Sequence, residues 1–211
     1  MSLPNLQTLL GTVRALTTRY KAGKNPDSFR AFRDLIQLLL QATIIPARAA
    51  VRVIKGPNEK VRILGGYPGP NHPLELNDGR FLRVTMSLFW TASPQGERVK
   101  VENSSFQYQM DQTGDRWIFR YDYVREPPAP HPSSHLHLRG ALTEPCLIDK
   151  QDLEDVHFPT DRVSLEAVIR LLIEQFHVPC NSDAADWRPL LAESEALFKA
   201  IAHRALSGPM Q

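Results

Sequence analysis

The chain has 211 residues, 42% of them apolar, enough to bury a core and too many for a disordered or coiled-coil polypeptide. Lys and Arg number 25 against 23 Asp and Glu, a net charge of +2 that by itself announces neither nucleic acid nor membrane. The balance is uneven along the chain, however. Residues 1–62 hold eleven basic and three acidic side chains, residues 63–143 eight of each, and residues 144–195 four basic and twelve acidic.

Two helices are predicted first. Leu6, Leu9, Leu10, Val13 and Leu16 share one helical face, and the connector Lys21-Ala-Gly-Lys-Asn-Pro26 interrupts the pattern. Phe29, Phe32, Leu35, Ile36, Leu39 and Leu40 resume it, with Asp27 or Ser28 as N-cap and Pro46 closing the helix. From Ala49 the apolar period shortens to two. Strands are predicted around Val51–Ile54, Val61–Leu64, Arg80–Thr91, Glu97–Met110 and Arg116–Tyr123. Turn-forming residues separate them at 55–58, 77–79, 93–96 and 113–115. Such short connections fit antiparallel pairing and are too short for parallel crossovers. Gly65-Gly-Tyr-Pro-Gly-Pro70 is glycine-rich, but no Gly-Lys-Ser/Thr follows and its prolines lack N–H donors, so it is expected to be a plain loop.

Helical period returns at Ser164. Leu165, Val168, Ile169, Leu172, Ile173 and Phe176 form an apolar stripe, with Glu166, Arg170 and Glu174 expected on the outer face. A last helix is predicted from about Asp186 to Leu206. Helices, then strands, then helices make an α+β protein: an antiparallel meander flanked by N-terminal and C-terminal helices. The expected layout is one domain over residues 1–211, helical over 1–45, sheet over 46–140 and helical again over 160–207.

Compartment and partners follow from what is missing. Met1-Ser2-Leu3-Pro4 lacks a charged n-region and no apolar h-region follows it. The most apolar stretch, Leu35–Ile45, is too short to span a bilayer. A cytoplasmic protein with no membrane partner is expected. Cys146 and Cys180 form no Cys-x-x-Cys pair and are expected to be reduced thiols.

The residues that could carry chemistry lie in Arg116-Trp-Ile-Phe-Arg-Tyr-Asp-Tyr-Val124 and, after a proline-rich loop, in His131-Pro-Ser-Ser-His-Leu-His-Leu138. Alternate strand residues share a face, so Arg120 and Asp122 lie together, and so do His135 and His137. If the two segments pair antiparallel, apolar face on apolar face, these four converge, with His131 near the return end of the loop. Three uses are open. Two imidazoles and an arginine can cleave RNA without metal: one His deprotonates the 2′-hydroxyl, another protonates the leaving oxygen, and Arg120 stabilises the phosphorane. His-x-His with Asp122 can also ligate zinc or another transition metal. The third possibility is structural, strand histidines hydrogen-bonded to Asp122 beside an Arg120–Asp122 ion pair. The residues specify no cofactor. Ser133 and Ser134 lack the strand-turn-helix setting of a nucleophilic serine.

Arg120-Tyr-Asp122, the short proline-containing loop and His131…His135-Leu-His137 together resemble small bacterial proteins of the TumE-type toxin group. There an Arg-Tyr-Asp strand at the end of a sheet precedes a His-rich segment and a helix. The stretch is also similar to an uncharacterised bacterial family with Arg-Phe/Tyr-Asp, His-Pro-x-Ser-His-Leu-His and a proline-containing strand exit, matched here by His157-Phe158-Pro159 ahead of Ser164. The resemblance covers roughly residues 116–176. It implies a toxin-like or nuclease-like role, with Arg120, Asp122, His131, His135 and His137 as the positions carried over and a cognate antitoxin as a possible partner. A non-enzymatic protein-interaction module is the alternative.

The basic N-terminal third bears on the same question. Arg14, Arg19, Lys21, Lys24, Arg30 and Arg33 gather on the first two helices and their connector. They could bind the phosphates of RNA or another nucleic acid, or the acidic 144–195 region could neutralise them within the molecule.

Overall fold

A computed structural model describes residues 4–22, 27–55, 61–65, 72–91, 98–139, 158–182 and 184–203. Two compact units emerge, one helical, from residues 1–44 and 164–211, and one a sheet, from residues 45–163. The architecture is α+β, with an antiparallel sheet and helices drawn from both ends of the chain, as the change of period predicts.

The helical unit contains α1 (Leu6–Ala22), α2 (Asp27–Thr43), α3 (Leu165–Glu174) and α4 (Ala184–His203). Asn5 caps α1, its side-chain oxygen accepting from Thr8 N–H at 3.0 Å. Leu9, Val13, Leu16 and Tyr20 are buried on α1, and Phe29, Phe32, Ile36, Leu39 and Leu40 on α2. The Tyr20 and Phe32 rings meet at 5.1 Å. The C-terminal carbonyls of α2, which have no partner within their own helix, are met by the segment after α3. Asn181 N–H donates to Thr43 O at 2.6 Å, the Asn181 amide to Gln41 O at 2.9 Å and the Ser182 hydroxyl to Ala42 O at 3.0 Å. Ser164 caps α3 by accepting from Ala167 N–H at 3.1 Å.

One outward assignment on α3 is wrong. Glu166 is buried, and the Ser194 hydroxyl of α4 donates to it at 2.6 Å. Glu166 sits beside the apolar stripe, on the flank shared with Ile169 and Ile173, so packing against α4 takes it inward. Glu174 is exposed, as expected, and pairs with Arg188 at 3.1 Å.

Among the described residues the sheet unit has eight antiparallel strands: β1 (Val51–Lys55), β2 (Val61–Gly65), β3 (Leu74–Glu75), β4 (Phe81–Thr91), β5 (Arg98–Gln109), β6 (Trp117–Val124), β7 (Ser134–Leu138) and β8 (Phe158–Pro159). Their lateral order is β1-β2-β4-β5-β6-β7-β8, a meander, with β3 also pairing to β4. β3 forms a hairpin with β4 around Asn77-Asp78-Gly79, where Gly79 has φ +82° and Leu76 N–H donates to Arg80 O at 2.7 Å.

Pairing assigns the two faces. Leu82 stands opposite Tyr108, Val84 opposite Phe106 and Leu88 opposite Val101, and all six are buried. Tyr108 leads on to Phe119 and Phe106 to Tyr121, so the aromatic side of β6 continues this apolar face. The opposite face carries Arg83, Thr85, Ser105 and Gln107 and is polar. Among the described residues no helix is long and apolar enough to cross a membrane.

Candidate functional site

Strands β6 and β7 build the site. Residues 125–133 connect them, with a turn closed by His131 N–H donating to Pro128 O at 2.9 Å and with Val124 N–H donating to Ser133 O at 2.8 Å. The register then sets Phe119 against Leu138, Arg120 against His137, Tyr121 against Leu136 and Asp122 against His135. Tyr121 and Phe119 keep Leu136 and Leu138 on the apolar face, which sends Arg120, Asp122, His135 and His137 to the polar face together. The convergence expected from the alternation alone is present.

One oxygen is the hub. Asp122 Oδ2 accepts from Arg120 Nε at 2.7 Å and lies 3.4 Å from His137 Nε2 and 3.9 Å from His135 Nε2. The two imidazoles stand edge to face, with ring centroids 4.8 Å apart. Asp122, His135 and His137 each offer a potential ligand atom, and the three atoms lie within 4.8 Å of one another.

Both imidazoles are buried, His135 at 7% and His137 at 5% exposure, on a face that is otherwise half-exposed. His135 lies opposite Pro159 of β8, and its Nδ1 is 3.3 Å from Pro132 O. Burial, and next the neighbouring His137, hold the His135 imidazole below its usual pKa. The Pro132 carbonyl and the Asp122 carboxylate oppose this less strongly. His135 is therefore neutral at neutral pH. A carbonyl can only accept, so a neutral His135 that uses this contact carries its proton on Nδ1 and turns the Nε2 lone pair toward Asp122.

The other predicted positions fall elsewhere. His131 is exposed in the loop and is not one of the three grouped residues. His157 and Lys24 lie outside the described residues, as do residues 66–70 of the glycine-rich loop and Cys146. Cys180 is a free thiol. In the helical unit Arg14 Nε pairs with Glu193 at 2.7 Å, Arg33 with Asp34 at 2.9 Å and Arg30 with Asp27 at 3.7 Å. Arg19 and Lys21 are exposed in the last turn of α1. The Arg14–Glu193 pair is one instance of the acidic C-terminal region neutralising the basic N-terminal one.

Two neighbours of the cluster were not legible in the sequence. Pro132 contributes through its backbone carbonyl, which no side-chain pattern announces. Trp117, opposite Gln109 at a bulge, brings its ring to 5.8 Å from the Arg120 guanidinium carbon, although strict alternation puts it on the other face. No family model, curated protein or solved structure matches the chain.

Proposed function

We propose that the protein is a nuclease-like, toxin-like protein that acts on nucleic acid, RNA first of all, through the Arg120, Asp122, His135 and His137 cluster. The observation that carries this reading is the convergence of a guanidinium, a carboxylate and two imidazoles around a single oxygen, Asp122 Oδ2. Phosphodiester cleavage needs these elements: a cation for the phosphate, groups that take and return protons, and a carboxylate that orients them. Arg120, with 35% of its side chain exposed, is the member that can meet a phosphate.

Burial favours one of the two cleavage chemistries. At 7% and 5% exposure, both imidazoles are too covered for a ribose 2′-hydroxyl and its leaving group to reach them together. A water molecule is small enough. Hydrolysis by an activated water at the cluster, with the phosphate held at Arg120, is the favoured route. Within the helical unit, Arg19 and Lys21 are exposed basic positions that can meet phosphates in their own right.

The same burial favours one competing role, in which the cluster only braces β6 against β7 and the sheet serves as a protein-interaction module. Inducible expression of the wild type and of the His135→Ala/His137→Ala double variant, scored for growth and for RNA integrity, separates the two. Nuclease action predicts growth arrest and RNA loss with the wild type only. A folded double variant that remains as toxic as the wild type, or intact RNA in wild-type cells, overturns it.

A further inference from the structure

We infer that Asp122 Oδ2, His135 Nε2 and His137 Nε2 form a binding site for one divalent transition-metal ion of the zinc class. This deepens the proposed hydrolytic role, on whose site it rests, by naming what would activate the water. The binding itself can be read without any activity.

Distance is the first argument. Ligand atoms about 2.0–2.1 Å from a tetrahedral zinc ion stand roughly 3.3–3.4 Å from each other. Asp122 Oδ2 and His137 Nε2 are already 3.4 Å apart, and His135 Nε2 is 3.9 Å from the same oxygen. The three ligand atoms lie within 4.8 Å of one another, and closing them onto one ion takes rotation of both imidazoles toward each other. The three residues are held in register on adjacent strands, so all three ligand atoms approach from one side of the sheet.

The donor set is the second. Two imidazole nitrogens and one carboxylate oxygen suit zinc and its first-row neighbours, whereas calcium and magnesium require oxygen ligands. Three protein ligands leave a fourth position for water, the arrangement of catalytic zinc.

The third lies one bond further out. Metal-binding histidines usually donate their other ring N–H to a carbonyl or carboxylate, which fixes the ring and directs the ligating nitrogen. Pro132 O, 3.3 Å from His135 Nδ1, is placed for that duty. A purely structural His135 would gain as much by turning its proton toward Asp122.

Arg120 makes the proposal specific. Its Nε holds the same Oδ2 at 2.7 Å, so an arriving cation competes with the guanidinium for that oxygen. Arg120→Met should therefore bind metal more tightly than the wild type. A cluster with no metal function gives no reason for such a gain.

The test uses the full chain, stripped with a chelator and titrated with zinc, then with cobalt. The wild type should take up one zinc per chain, and the cobalt form should show the strong visible absorption of a four-coordinate centre. Asp122→Asn and His137→Gln should each weaken zinc at least about 100-fold, and Arg120→Met should tighten it several-fold, about 5-fold or more. A wild type that takes up no zinc overturns the inference whether or not the variants fold. So does uptake that folded Asp122→Asn and His137→Gln variants leave unchanged. Zinc bound at this site by a protein that leaves RNA intact retains the metal site and refutes the nuclease role. RNA cleavage by a wild type that takes up no zinc does the reverse.

Discussion

Replacing Asp122 by Asn removes the charge at the centre of the cluster and leaves its shape almost unchanged. The native carboxylate is 18% exposed and its Arg120 partner 35%, at 2.7 Å. A hydrogen bond to a charged group contributes roughly 1.5–3 kcal/mol when well buried, and an exposed ion pair about 0–1 kcal/mol. With one partner about a third exposed, the pair lies between these limits, and a coupling of about 1 kcal/mol is expected. Asp122→Asn alone should cost about 1–2 kcal/mol, because it also leaves a guanidinium beside two buried imidazoles without its counter-charge. The assay is urea unfolding of the wild type, Arg120→Met, Asp122→Asn and the double variant with chelator present, followed by tryptophan fluorescence. Trp90 and Trp117 report on the sheet unit, and a Trp187→Phe background silences the tryptophan of the helical unit. For a slope of about 2 kcal/mol per molar urea, the Asn variant shifts the midpoint by about 0.5–1 M. Single losses that add to within about 0.3 kcal/mol in the double variant would refute the view of Asp122 as the hub of the cluster.

Three further outcomes can be measured with the same equipment. The depressed pKa of His135 contributes stability to the sheet unit that is complete above the ordinary imidazole range near 6.5 and is lost as pH falls through the lower folded value. His135→Gln should flatten that acid arm in a pH series of unfolding midpoints, and an unaltered slope would contradict the assignment. Burial raises the Glu166 carboxyl above its usual range, with the Ser194 hydroxyl opposing. Its contribution is complete below the ordinary carboxylate pKa and fades as pH rises through the folded one, so Glu166→Gln should raise stability at neutral and alkaline pH and leave acid stability nearly constant. Gly65→Ala would bring a Cβ to 2.7 Å from Leu74 Cγ, a fully buried side chain. It should cost about 1–3 kcal/mol of sheet stability, and an unshifted midpoint would mean that Leu74 yields without penalty.

The convergence of the cluster was legible because its causes are local. A period of two in 117–123, and again in 135–137, determines which side chains share a face. The apolar residues between them, Tyr121 and Leu136, admit only one face for the pairing. What surrounds the cluster was not legible. The burial of His135 and His137 depends on tertiary neighbours, and the carbonyl of Pro132 comes from backbone geometry within a loop. β3 is two residues long, too short for alternation to register, though the Asn77-Asp78-Gly79 turn beside it was plain. Glu166 shows the limit of a helical wheel, where a charged residue on the margin of an apolar stripe can face either way until the opposing helix is known. The basic N-terminal helices show the limit of charge counting, since Arg14 finds its carboxylate 179 residues away, on Glu193.

β8 has a bearing on how such a sheet avoids sticking to its own copies. A terminal strand with free N–H and C=O groups is a template for another chain. Here β8 covers part of β7, with Pro159 opposite His135 and Phe158 opposite Leu136, and it is a strand of two residues whose proline has no N–H to offer and which is too short to guide an added strand. The His135 end of the histidine strand is thus interior to the sheet. A foreign strand seeking to extend the described sheet would find its longer row of backbone groups on β1, at the far margin, so the His135 side of the cluster is spared the edge-to-edge association that would otherwise compete with any ligand.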